Sequence, residues 1–154
     1  MQSRPGARKD LRPVPRGKAL DMTTGSRMYL SQSRIGQIAI TVADVPTALH
    51  FYRDILGLKL LFQAGPRLAF LQAGEVRIML TTPQGAGQVG ANSILYFTVQ
   101  DIVGVHESLV WMGAVNERAP QLAAAMPDHD LWLAFLKDPD GNVVGLMEEK
   151  MKAP

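Results

Sequence analysis

The 154-residue chain contains no cysteine. That absence excludes disulfides, thiolate metal ligands and a cysteine nucleophile, and it fits a cytoplasmic protein. No apolar run approaches the ~20 residues that span a bilayer, so no membrane partner is expected. No secretory h-region is visible near the N-terminus. Histidine occurs only as His50, His106 and His129, and no His-x-Glu or His-x₃-His pairing joins them. No Gly-x-Ser-x-Gly surrounds Ser31, Ser33, Ser93 or Ser108, which removes the nucleophile elbow. No Gly-x-Gly-x-x-Gly follows a strand pattern, and Gly85-Ala86-Gly87 falls in a linker, so phosphate cradling has no motif.

What is present is a globular composition, 47% hydrophobic, with an uneven charge. Residues 1–27 hold seven basic and two acidic residues, a surplus of five; the remainder holds nine basic and twelve acidic residues. The folded part is therefore mildly acidic, and nucleic-acid binding would rest on the basic segment alone. That segment carries Pro5, Pro13 and Pro15 without an apolar period. Residues 1–33 read as a disordered extension, with Met22 or Met28 as alternative translation starts. A single domain is expected over 34–150.

Within it, Gln37–Val42 alternates, with Ile38, Ile40 and Val42 on one side and Gln37, Ala39 and Thr41 on the other, as in a half-buried strand. Asp44 suits an N-cap and Pro46 a first helical turn. Val45, Leu49, Tyr52 and Ile55 then recur at helical spacing up to Gly57. Strands are expected near 58–62, 67–72 and 75–81, followed by a breaker-rich linker over 84–92. The pattern then restarts at an offset of 57: Thr98 matches Thr41, Val99 matches Val42, and Asp101 matches Asp44. A helix from Ile102 to Met112, a short strand near 114–118, a loop, and strands at 131–136 and 142–147 follow. Asp138-Pro139-Asp140-Gly141 suits a type I turn between the last two.

The fold class expected is α+β: two tandem βαβββ modules, 34–83 and 93–149, forming a curved, cup-shaped, mostly antiparallel sheet. The helices cover the Ile, Val and Leu faces. The opposite face carries Gln37, Ala39, Thr41, Arg77, Met79, Thr81, Tyr96, Thr98, Gly145 and Met147, a mixture that suits a cavity lining. A solvent or partner-packing face is the plainer alternative. Arg77 is the one cation predicted to face inward, able to clamp an anion or to pair with an acid at the strand's wet end. Phe70 and Trp132 could stack on a planar ligand or belong to the core.

Ile38-Ala-Ile-Thr-Val-Ala-Asp44, Ala48-Leu-His-Phe-Tyr-Arg-Asp-Ile-Leu-Gly-Leu58 and Asp138-Pro-Asp-Gly-Asn142 together resemble the vicinal oxygen chelate superfamily of glyoxalase I, extradiol dioxygenases and bleomycin-resistance proteins. The resemblance implies a homodimer. It also implies that metal-using members place four ligands on inward positions of the first and last strands of each module. Those positions fall here on Gln37, Met79, Ile94 and Gly145. Only Gln37 could serve as in the family; Met79 is a soft thioether, and Ile94 and Gly145 offer no donor. No metal or other cofactor is expected, and Gly145 is read as opening space near the sheet.

Of the histidines, His50 and His106 fall on helices and read as solvated or capping. His129, in Met126-Pro-Asp-His-Asp-Leu-Trp132, could be held by Asp128 or Asp130 as a general acid/base; a polar loop over the pocket is the alternative. Two functions follow. The first is a metal-independent small-molecule binder with an apolar or aromatic cavity, its ligand contacted by Gln37, Thr41, Arg77, Met79, Tyr96, Thr98, Trp132, Gly145 and Met147. The second is a glyoxalase-, isomerase- or dioxygenase-type enzyme using His129, or a Ni, Zn, Mn or Fe site elsewhere. The sequence leaves open whether the cavity closes within one chain or across a dimer.

Overall fold

The computed structural model describes residues 30–85 and 87–154. The disorder expected of residues 1–33 falls almost wholly outside them. Leu30–Gln32 forms one 3₁₀ turn, closed by the Ser33 N–H donating to the Leu30 carbonyl at 3.0 Å. Ile35–Pro154 is a compact unit of its own.

In that unit β1 (Gln37–Thr41) leads into α1 (Val45–Leu49). The Asp44 carboxylate accepts from the Thr47 N–H at 2.9 Å and hydroxyl at 2.6 Å, which satisfies an orphan donor of the first turn. Those bonds hold the Asp44 carboxyl below the usual carboxylate range. Helix α1 continues in π geometry from His50 to Ile55 and ends at Gly57, whose φ of 79° needs a residue without a Cβ. Strands β2 (Lys59–Gln63), β3 (Leu68–Ala73) and β4 (Val76–Thr81) complete the first module. The second repeats it as β5 (Leu95–Thr98), α2 (Ile102–Trp111), β6 (Val115–Ala125), β7 (His129–Lys137) and β8 (Val143–Met151).

The sequence places a short strand and a loop where β6 runs for 11 residues. It runs through Pro120 because β6 is an edge strand with three register irregularities against β7, where a missing N–H and an unmatched residue are tolerated. Each module forms a four-stranded sheet, ordered β1-β4-β3-β2 and β5-β8-β7-β6, with the first pair parallel and the rest antiparallel. The two sheets are not joined by strand pairing. The expected cup is therefore two separate halves in one chain.

The halves are held by their helix-covered sides, which share one core. Ile40, Val42, Leu71, Ile78 and Leu80 from the first sheet join Ile102, Leu136, Val144 and Leu146 from the second. Each such side chain removed from water contributes about 1.5–3 kcal/mol. A polar clamp supplements this packing. Asp138 is 3% exposed and accepts four hydrogen bonds: Tyr52 hydroxyl and Asn142 Nδ2, each at 2.8 Å, and the N–H groups of Asp140 at 2.9 Å and Asn142 at 2.8 Å. Burial and the adjacent Asp138 push the Tyr52 phenol far above its ordinary range. From Asn142 the network reaches Asn92 at 2.8 Å, whose amide pairs with both the N–H and the carbonyl of Thr41 at 3.1 Å. The turn motif read from the sequence is thus also the tie between modules.

A candidate ligand surface on the outward faces of the two sheets

Because residues alternate along a strand, burying Ile38, Ile40, Ile78 and Leu80 turns Gln37, Ala39, Arg77, Met79 and Thr81 to the opposite face. The pairings Gln37–Arg77, Ala39–Met79 and Thr41–Thr81 place them in rows. On the second sheet Tyr96–Gly145 and Thr98–Met147 are paired in the same way. The ten residues assigned to one face by alternation do lie on outward sides, but on two separate sheets, six on the first and four on the second.

On the first sheet Arg77 Nε donates to Gln37 Oε1 at 2.7 Å, and Gln37 Nε2 reaches Met79 Sδ at 3.6 Å. Phe70 lies beneath Arg77, its ring centroid 5.3 Å from the guanidinium, and stacks on Phe62 at 4.5 Å. Thr41 is 5% exposed, and Gly87 approaches so closely that a Cβ there would overlap the Thr41 hydroxyl. The linker therefore covers Thr41 and closes that end of the surface.

On the second sheet Phe135 pairs with Gly145. The Tyr96 ring meets Phe135 edge-on at 5.7 Å, and Arg118 stands 5.7 Å from the Phe135 centroid. A Cβ at Gly145 would lie 2.7 Å from Tyr96 Cδ1. The expectation that Gly145 opens space is thereby corrected: the space is filled by the Tyr96 ring, and glycine is what lets the ring lie against the strand. A hollow of about 250 Å³ is lined by Arg118, Gln121, Leu122, Ala123, Leu133 and Phe135.

Two sequence candidates stand apart. Trp132 shares the helix-covered side of β7 with Ala134 and Leu136, packs on the core and lies under Lys150 Nζ at 4.4 Å. It is absent from the outward surface. His129 opens β7 on the outward side, but six residues before Phe135, about 20 Å away at ~3.3 Å per residue. Its Nδ1 pairs with Asp128 at 2.8 Å, which holds the Asp128 carboxyl below its usual range, and its Nε2 lies 4.0 Å from Glu149. His106, read as solvated or capping, is 7% exposed and bonded to Asn116 at 2.8 Å. His50 is exposed beside Asp54, as expected.

Phe135, Phe62 and Arg118 were missed. Leu131–Leu136 is apolar throughout and so shows no facing by alternation, and Arg118 lies at the last position of the short strand expected near 114–118, for which no facing is assigned. The family's four ligand positions present an amide already held by Arg77, a thioether, an alkyl group and a glycine under a ring, which do not fit a divalent cation. Among the described residues no cluster of three or more His, Cys, Asp or Glu could hold a metal. None of the described helices is long and apolar enough to cross a membrane. A groove of about 590 Å³ lies between Ile38, Leu58, Ile78 and the edge strand β5, with Tyr96 and Thr98 also on its lining.

Comparison with known proteins agrees with this architecture. The sequence profile of the Glyoxalase/Bleomycin resistance protein/Dioxygenase superfamily matches residues 34–146, and the chain belongs to that superfamily. Similar solved structures include a lactoylglutathione lyase from Agrobacterium tumefaciens, 22% identical with a TM-score of 0.62 over 75% of this chain and 93% of that one. An antibiotic-binding protein from Streptomyces sp. is 20% identical, with a TM-score of 0.63 over 79% and 100%. A glyoxalase/bleomycin resistance protein/dioxygenase from Alicyclobacillus acidocaldarius is 16% identical, with a TM-score of 0.61 over 76% and 92%. At these identities the likeness is one of fold. No match was found among curated protein sequences.

Proposed function

We propose that this member of the superfamily is a metal-independent small-molecule-binding protein, cytoplasmic and homodimeric, with an aromatic ligand cavity between the first sheet of one chain and the second sheet of its partner. The observation that carries the reading is the fate of the four ligand positions. Gln37 is occupied by Arg77 and Met79, Ile94 has no donor, and Gly145 lies under Tyr96. Chemistry that needs about three protein ligands and an open position lacks them there. The rings and guanidinium groups on the same faces supply what a binding site needs instead.

The dimer is supported by the separate half-cups and by the edge strands β1 and β5. Ile94 and Tyr96, at β5, are 43% and 48% exposed beside the 590 Å³ groove, an arrangement that a covering partner strand would stabilise. The Streptomyces relative's description as an antibiotic-binding protein supports the binding class. An enzyme reading rests on the His129–Asp128 pair, which stands far along the strand from the aromatic surface.

The test is metal analysis of the purified protein with thermal unfolding in Ni²⁺, Zn²⁺, Mn²⁺ and Fe²⁺, alongside sedimentation. A metal-free dimer with unchanged midpoints is expected. Stoichiometric metal, or a rise of several degrees with one of these ions, would overturn metal independence. A monomer at all concentrations would overturn the shared cavity.

A further inference from the structure

The two modules present the same chemistry on their outward faces, assembled from different residues. Phe70 and Phe135 hold one register position: each lies opposite the residue, Met79 or Gly145, that in turn pairs with the first strand of its module. On each phenylalanine rests a second ring and a guanidinium. In the first module the ring is Phe62 from β2 and the cation Arg77 from β4. In the second the ring is Tyr96 from β5 and the cation Arg118 from β6. Arg118 occupies the register position held by Phe62 in the first module, since each pairs with its module's phenylalanine. Copying alone therefore does not explain the likeness.

Both arginines are exposed, and among the described residues neither forms an ion pair. The one side-chain hydrogen bond of Arg77 goes to the neutral amide of Gln37. By contrast Arg53, Lys137 and Lys152 each have a carboxylate at 3.2 Å or less. A guanidinium steadied over a ring keeps N–H donors free for a carboxylate, sulfonate or phosphate, and the rings offer faces for a flat apolar body. Resting on the binding function above, we propose that the ligand is a planar aromatic anion. Its ring lies against Phe135 and Tyr96, its acid group lies on Arg118 at the 250 Å³ hollow, and Phe70 with Arg77 provides a second seat of the same kind.

Titration calorimetry with 2-naphthoate, 2-naphthamide and 2-naphthylmethylammonium tests this on the full chain. The carboxylate should bind at least about tenfold more tightly than the amide, as a charge-assisted hydrogen bond implies, and the ammonium most weakly. Arg118→Gln should remove most of that preference, Arg118→Lys should restore part of it, and Arg77→Gln should remove the remainder. Phe135→Leu should weaken acid and amide alike. Equal binding of acid and amide, or an acid preference indifferent to both arginine variants, overturns the anion while leaving aromatic binding standing. Failure of all three naphthalenes to bind a folded native protein overturns both.

Discussion

The two modules agree on one side of their sheets and disagree on the other. On the helix-covered side Ile38, Ile40 and Val42 answer Leu95, Phe97 and Val99, and Ile78 and Leu80 answer Val144 and Leu146, all branched or aromatic apolar groups that fill one core. On the outward side Gln37, Ala39 and Met79 stand at the registers of Ile94, Tyr96 and Gly145. Packing against a dense core tolerates little change in volume, whereas an outward face is free to diverge. The repeat is therefore kept on the helix-covered side of the strands, and the two modules differ on the outward side.

The modules differ most at the final hairpin. The β7–β8 turn ties into the first module through Asp138, while beside the equivalent β3–β4 turn Gln72 Nε2 donates locally to the Gly74 carbonyl at 3.1 Å. Asp138→Ala strands four donors in a buried site and should cost about 3 kcal/mol. Gln72→Ala, exposed, should change stability by less than about 0.5 kcal/mol. Urea unfolding of both variants reads the difference, and equal losses would show that the turn does not clamp the modules.

The second comparison is Gly145 with Met79. Gly145→Ala forces a methyl against the Tyr96 ring and should cost about 1–2 kcal/mol. Tyr96→Ala in the same chain should relieve most of that, giving a coupling energy of about 1 kcal/mol in a double-mutant cycle. Met79→Ala, half-buried and on the other sheet, should show no coupling to Tyr96. Additive losses at Gly145 and Tyr96 would remove the ring's claim on that space.

How far this was legible follows from which signals are local. Strand alternation, the Asp44 and Asp101 caps and the repeat at an offset of 57 are written within a few residues, and they gave the βαβββ order and the facing of Arg77 and Met79. The packing of Tyr96 over Gly145 and edge-on to Phe135 depends on cross-strand register, which no local pattern records. β6 runs past the expected short strand through Pro120, a residue that counts against a strand in general but is tolerated at an edge. Trp132 sits in a continuous apolar run, where periodicity cannot choose a face.

The two helices differ in how they hold their histidines. His50 on α1 and His106 on α2 look alike in sequence, yet one is exposed and the other 7% exposed with its Nε2 bonded to Asn116 at 2.8 Å. Removing a partner from a buried polar group costs more than deleting an exposed one. Asn116→Ala should therefore lower stability by about 1 kcal/mol, and His50→Ala should leave the unfolding midpoint unchanged. His106→Leu, which deletes the buried polar group itself, should recover part of the loss in the Asn116→Ala background. No recovery would mean that Asn116 stabilises β6 by some other contact than the imidazole.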